Sequence, residues 1–140
     1  MSVVRTGIVE TPISTAELEP LVATEECGAV VSFSGVIRDH DGGRSVVRLN
    51  YESHPVAPDQ LAEVAADIAG RHPQVRLAVV HRVGDLSIGD VALAAVAASA
   101  HRAESFAACS ELVDEVKERV AIWKHQHFAD GDDEWVGALE

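Results

Sequence analysis

Basic residues are scarce in this chain, and the scarcity limits what it can bind. Of its 140 residues, 11 are Lys or Arg and 23 are Asp or Glu, which gives a formal net charge of −12. A surface this acidic repels phosphate backbones, and no local basic stripe with interleaved aromatic residues compensates for the repulsion. We therefore expect no nucleic-acid partner.

Long apolar runs, paired cysteines and a glycine-rich phosphate loop are also missing. Without an apolar run of about 18 residues or a basic segment followed by an apolar one at the N-terminus, we expect no membrane span, no signal peptide and a cytoplasmic protein. Cys27 and Cys109 lack Cys-x-x-Cys spacing and have apolar neighbours, which is typical of buried thiols in a reducing compartment. No cofactor fingerprint is present, so we expect no bound cofactor.

The chain does contain strand and helix patterns in alternation. Its hydrophobic content of 47% over 140 residues supports one domain, residues 1–140. Apolar and β-branched runs predict strands at 3–9, 28–37, 44–53, 76–83 and 90–98, and capping or helical spacing predicts helices from the Ser14–Glu17 capping box toward Val22, over 60–71, and from His101 to about Arg119. The order predicts an α+β two-layer sandwich, with helices packed on one face of a mixed or antiparallel sheet.

Two of the few cations open the last predicted helix. His101 and Arg102 lie in its first turn, where free backbone N–H groups favour anions and cations oppose the helix dipole. A bound anion would offset this unfavourable placement. The alternative is an exposed pair that forms salt bridges to Glu104 or Glu26, and the residues alone leave both open.

Two lysines flank an apolar, aromatic segment at the other end of this helix. Lys117 and Lys124 share one face if the helix continues, or lie on either side of a helix-to-strand junction if it stops near Arg119. Either geometry lets them converge on one pocket, where a lysine beside Trp123 could act as a proton donor or as a nucleophile toward an acyl group. The alternative is a lysine whose stem covers apolar surface.

Two further positions are candidates for a site. Arg38 lies where a predicted strand leaves the sheet for a loop, a usual place for a functional side chain, although it could instead pair with Asp39 or Asp41. His125 and His127 would face the same way on a strand. No third ligand stands at suitable spacing, so we expect no metal site.

Four segments of the sequence carry a resemblance to a known family: GAVVSFSGVIR at 28–38, HRVG at 81–84, SAHR at 99–102 and KERVAIWK at 117–124. Taken in order, they resemble the large, catalytic subunit of molybdopterin synthase, the MoaE family. The His-Arg pair at a helix start and the Lys-x6-Lys segment are the most specific parts of the resemblance. The match spans nearly the whole chain.

The resemblance implies a MoaE-like fold of the α/β hammerhead type and a sulfurtransferase of molybdenum cofactor biosynthesis. Such an enzyme takes sulfur from the C-terminal Gly-Gly thiocarboxylate of a small ubiquitin-like carrier subunit of the MoaD type. It transfers the sulfur to cyclic pyranopterin monophosphate and forms the dithiolene of molybdopterin. The resemblance also implies a homodimer of large subunits within a heterotetramer.

The resemblance further implies roles for individual residues. Lys117 and Lys124 match the catalytic lysines, with Lys117 the expected acid/base group at the thiocarboxylate. The implied substrate contacts are both lysines together with Val36, Ile37, Arg38, His101, Arg102, His125 and Gln126. Among these, His101 and Arg102 are expected to bind the phosphate, and Phe33 is expected to line the pocket.

Three positions depart from the family pattern: Ala121 replaces a common Pro, Gln126 a common Glu, and Leu139 stands near a usual Arg. Without the proline, we expect the helix to run further past Arg119. The alternative function is a non-catalytic dimeric paralogue that binds the carrier tail as a scaffold, and a third is an unrelated anion-binding module. Retention of all the motif cations in so acidic a chain favours the enzyme.

Overall fold

A computed structural model describes residues 3–137 of the chain. Its elements are β1 (Val3–Val9), α1 (Thr15–Val22), β2 (Ala29–Val36), β3 (His40–Asp41), β4 (Arg44–Ser53), α2 (Ala57–Arg71), β5 (Arg76–Arg82), β6 (Gly84–Leu86), β7 (Val91–Ser99), α3 (Arg102–Arg119), β8 (Ile122–Phe128) and β9 (Asp133–Gly137). Every strand and helix predicted from the sequence is present. The short strands β3 and β6 and the pair β8 and β9 are additional.

Four strands form a mixed main sheet in the order β1-β5-β7-β2. β1 runs parallel to β5, whereas β5 and β2 each run antiparallel to β7. The central strands β5 and β7 are buried along almost their whole length, which explains their continuous apolar sequences. β2 lies at one edge of this sheet.

Helices cover both faces of the main sheet. The long helices α2 and α3 pack on one face as predicted, in a core that includes Leu61, Ile68, Leu77 and Leu112. The short α1 packs on the opposite face through Leu18, a placement that the sequence analysis did not expect. Strands buried on both sides need a layer on each side, and α1 supplies the second one. The predicted α+β class with a mixed sheet is confirmed.

A second, antiparallel sheet carries the C-terminal part of the described chain. Its order is β3-β4-β8-β9, with β6 also paired to β4. A small core containing Ile37, Leu49, Leu86, Ala92 and Phe128 joins it to the beginning of β7 and the end of β2. The two sheets therefore meet beside the C-terminal end of α3.

The helix α3 ends at Arg119, so the expectation that it runs further is wrong. Val120 has an extended backbone, with φ −97° and ψ 124°. The N–H of Ala121, which a proline would lack, donates to Gln60 Oε1 at 2.8 Å and is thereby satisfied. No helix among residues 3–137 is long and apolar enough to cross a membrane. Leu139, the third departure from the family pattern, lies outside the described residues.

Candidate active site

A pocket with a volume of about 450 Å³ opens between the two sheets at the C-terminal end of α3. Most of the residues that line it are apolar, and polar atoms contribute almost half of its surface. Its lining comes from both sheets and from α3: Gly35, Val36, Ile37, Arg38, Leu49, Tyr51, His81, Ala92, Leu93, Val116, Lys117, Val120, Ile122, Lys124, Gln126, Val136 and Gly137.

Cations are concentrated in this pocket. The chain has only two lysines, and both line it. Lys117 comes from the last turn of α3, where a positive charge complements the helix dipole, and Lys124 comes from β8 across the junction. Arg38 joins them from the end of β2. In a chain of net charge −12, this convergence suits the binding of an anionic group.

Arg38 is held in place by a chain of polar contacts. Its Nη2 lies 3.3 Å from Asp41 Oδ1. Gln126, only 2% exposed, donates through Nε2 to Asp41 Oδ2 at 2.7 Å and to Glu134 Oε1 at 2.9 Å. The hydrogen bond from Gln126, and then the positive charges of Lys124 and Arg38, hold the pKa of Asp41 below its usual value. The Gln126 amide therefore ties the Arg38 loop to β8 and β9, and its donors serve two carboxylates.

The sequence analysis assigned no role to His81 and Tyr51, which also line this pocket. His81 is 8% exposed, and its Nδ1 lies 2.8 Å from the carbonyl oxygen of Arg82. The ring of Tyr51 meets it edge-on, with centroids 5.1 Å apart. Burial, assisted by the charge of Lys117, lowers the pKa of His81 to about 4. The sequence feature that could have identified His81 is its position as a polar residue at the end of the apolar run LAVV, before Arg82.

Two predicted pocket residues lie elsewhere. Phe33 packs against the main core rather than lining the pocket, because it shares the face of β2 that points toward α3. His125 lies on the face of β8 opposite Lys124, where its ring stacks on Trp135 at 4.2 Å and its Nε2 hydrogen-bonds Asp133. The structure therefore places neither Phe33 nor His125 among the residues that line this pocket.

The two histidines of β8 are candidate metal ligands by residue type. The rings of His125 and His127 lie 4.3 Å apart. In the part of the chain that the structure describes, no group of three or more His, Cys, Asp or Glu side chains is placed to hold a metal ion. On the outer face of β8, the His125 ring stacks on Trp135 and hydrogen-bonds Asp133.

His101 and Arg102 are exposed at the N-terminal end of α3. They are separated from Lys117 by about 22 Å, because a helix rises about 1.5 Å per residue. Within residues 3–137 neither forms a salt bridge, so the alternative of pairing with Glu104 or Glu26 is not observed. The pair does not reach the pocket of its own chain.

The fold and the pocket together define an α+β protein with a cationic cavity suited to an anionic substrate. A family model described as MoaE protein matches residues 8–119. The molybdopterin synthase catalytic subunit of Halalkalibacterium halodurans is 37% identical over 134 residues, which cover 95% of this chain and 85% of that one. The subunit of the same name from Nostoc sp. is 38% identical over 133 residues, covering 92% and 81%.

A solved structure agrees with these sequence relatives. Molybdopterin synthase from Staphylococcus aureus matches with a TM-score of 0.87 and 34% identity, over 93% of this chain and 95% of that chain. The chain belongs to the MoaE family. The resemblance that its motifs carry is thereby confirmed.

Proposed function

We propose that this chain is the catalytic subunit of a molybdopterin synthase. It transfers sulfur from the C-terminal thiocarboxylate of a small ubiquitin-like carrier subunit to cyclic pyranopterin monophosphate, forming the dithiolene of molybdopterin. The observation that carries the proposal is the convergence of both lysines and Arg38 on one pocket, in a chain whose relatives bear that name. Residues 1–140 act as one domain. The two free cysteines are in keeping with a cytoplasmic location.

The pocket cations supply positive charge and protons for this reaction. Sulfur addition and opening of a cyclic phosphate place negative charge on oxygen atoms, which an ammonium group stabilises and can protonate. Lys117 is the acid/base group at the thiocarboxylate, and Lys124, on the facing strand, stabilises the charge of substrate and intermediate. Arg38, oriented by Asp41, holds an anionic group of the substrate. The neighbouring Val36 and Ile37 contact its uncharged part.

The carrier subunit reaches the lysines through its tail. A Gly-Gly terminus has no side chains, so it can pass along the apolar wall formed by Val116, Val120 and Ile122. The sulfur arrives on that tail, so this chain needs no reactive thiol. Burial raises the pKa of Cys109 to about 11, which leaves it protonated and unreactive.

A homodimer within a heterotetramer gives His101 and Arg102 a place in the same reaction. β2 is an edge strand, and Val30 and Val36 on it are 42% and 52% exposed. Phe106, on the flank of α3 that faces away from α2, is 59% exposed. An unpaired strand edge with apolar side chains beside it is suited to pairing with another chain. Two copies pair through this edge around a two-fold axis.

Antiparallel pairing of the two β2 strands sets the beginning of one beside the end of the other. Ala29, at the beginning, lies opposite Ser99, two residues before His101. The end of the strand in the other copy leads to Arg38 and the pocket. His101 and Arg102 of one protomer thus come within about two strand spacings, or about 10 Å, of the pocket of the other. There they bind the phosphate of the substrate.

The reaction itself tests the function. The purified chain is mixed with thiocarboxylated carrier and cyclic pyranopterin monophosphate, and molybdopterin is measured by the fluorescence of its oxidised derivative. We expect product, and loss of turnover by about 100-fold or more in Lys117→Ala. Arg48→Ala removes an exposed cation from the outer face of β4 and should retain activity. A stable complex without product would favour the scaffold, and the absence of both would leave only an anion-binding domain.

Mixed dimers test the shared site. Lys117→Ala and Arg102→Ala are each expected to be nearly inactive alone. In a mixed dimer one pocket combines Lys117 of one chain with Arg102 of the other, so free subunit exchange should restore about one quarter of wild-type activity. If Lys117 and Arg102 acted in a pocket of the same chain, every pocket in the mixture would lack one of the two side chains, and no activity would return. Failure of the exchanged mixture to recover activity would therefore contradict the arrangement.

A further inference from the structure

His81 places a histidine side chain in the wall of the pocket, beside the catalytic lysine. It lies near the end of β5, on the face that points toward α3, and its register partner on β7 is Leu93. Leu93 and Lys117 line the same pocket. The groups that face the ring are the Lys117 ammonium from α3, the Tyr51 ring from β4 and the Arg82 carbonyl of β5 itself.

The tautomer of His81 follows from its backbone contact. A carbonyl oxygen can only accept, so the nitrogen 2.8 Å from Arg82 O, Nδ1, must carry the hydrogen. In the neutral ring the other nitrogen, Nε2, then carries a lone pair and can only accept. Burial and the adjacent Lys117 charge keep the ring neutral near pH 7.

His81 lines the pocket, and its Nε2 is accessible rather than enclosed. Among residues 3–137 it has no hydrogen-bond partner, and the enclosed side-chain atoms without a partner in that range are Arg82 Nε and Glu104 Oε2. Nε2 is therefore not sealed in the core, although the residue as a whole is only 8% exposed. An acceptor that is fixed in direction and reachable from a substrate pocket is suited to bind a hydrogen-bond donor.

We propose that His81 is a further substrate-binding residue, whose Nε2 accepts a hydrogen bond from a neutral N–H group of the heterocycle while the cations hold the anionic end. The proposal rests on the proposed function, because a pyranopterin carries ring and amino N–H donors at a distance from its phosphate. A site built for such a donor discriminates against ligands that lack it, because Nε2 would then lose its contact with water and gain no partner.

The test compares variants that keep or remove the acceptor, in the assembled enzyme with its carrier subunit. His81→Leu removes it, and we expect KM for the pterin substrate to rise about tenfold with little change in kcat. His81→Gln keeps an acceptor oxygen and should recover much of the loss. His72→Leu changes a histidine that pairs with Glu111 away from the pocket and should leave KM unchanged. If His81→Leu fails to fold, His81→Met takes its place.

Two results would overturn the proposal. One is an unchanged KM in a folded His81→Leu or His81→Met enzyme. The other is an equal rise in KM for the apolar variant and His81→Gln, which would mean that His81 acts through packing on Tyr51. If the wild-type enzyme makes no product, the proposed function fails separately. In that case calorimetry measures the affinity of wild type and of the apolar variant for neopterin, a neutral pterin. Weaker binding by the variant would support the role of His81, and equal affinities would refute it.

Discussion

The stability of the folded protein should depend on pH through His81. The folded pKa of this group is about 4, against an ordinary value of 6.5. At pH values between about 4 and 6.5, His81 binds a proton in the unfolded chain but not in the folded chain. The stabilising contribution is therefore fully present above about pH 6.5 and is lost as the pH falls toward about 4. Replacing His81 with Gln removes the titrating group and should flatten this part of the profile.

The size of the effect follows from the difference between the two pKa values. A shift of about 2.5 units corresponds to a free energy of unfolding on the order of 3 kcal/mol over the full range. At about pH 5.5 the wild type should have lost about 1 kcal/mol of it relative to about pH 7.5. With a urea dependence of about 1.5 kcal/mol per molar, the unfolding midpoint falls by somewhat less than about 1 M. Measuring at pH 5.5 keeps the carboxylates ionised.

Urea denaturation of wild type and His81→Gln at both pH values measures this difference. Loss of packing against Tyr51 lowers the stability of the variant at both values, so the informative quantity is the change between them. Protein concentration is held fixed because dimerisation adds to apparent stability. Equal changes in the two proteins would refute the reasoning, since they would mean that His81 takes up its proton as readily in the fold as in the unfolded chain.

Two more predictions concern the other polar residues of the pocket. Lys124→Ala should keep its free energy of unfolding within about 0.5 kcal/mol of wild type and lose about 100-fold in turnover, because the side chain lines a cavity rather than a core. A large fall in the urea midpoint of Lys124→Ala would mean that Lys124 has a structural role instead. Gln126→Glu should lower stability by about 1–3 kcal/mol at neutral pH, since a third carboxylate would meet Asp41 and Glu134 without the donated hydrogen bonds. Urea midpoints should recover as the pH falls and the new carboxyl group is protonated, and an unchanged midpoint at neutral pH would contradict this account.

Local patterns in the sequence predicted most of the main sheet and its helices. The predicted N-cap of α1 forms, with Ser14 Oγ accepting from the Glu17 N–H at 3.3 Å. The apolar runs of β5 and β7 are buried because these strands occupy the centre of the sheet. These features depend on near neighbours in the chain, which is why spacing alone reveals them.

Features that depend on contacts between residues far apart in the chain could not be predicted from local sequence patterns. The end of α3 depends on Gln60, more than fifty residues away, whose side chain satisfies the Ala121 N–H. The role of Gln126 depends on Asp41 and on Glu134 across the hairpin. His101 and Arg102 stand out in the sequence as cations at a helix start, but their proposed place beside the pocket of a second chain depends on assembly, which spacing within one chain does not reveal.

The distribution of the two kinds of basic residue separates structural from chemical positions. Arg44, Arg71 and Arg119 each form more than one salt bridge with Asp or Glu, and all of these pairs except Arg119–Glu115, which lies within α3, join residues far apart in the chain. In the described residues neither lysine forms a salt bridge, and both face the pocket. Arginine holds its charge permanently and pairs with two oxygens at once, whereas lysine can exchange a proton. This chain of few cations thus places most of its arginine salt bridges at the surface and both of its lysines at the pocket, where the proposed reaction needs positive charge and a proton donor.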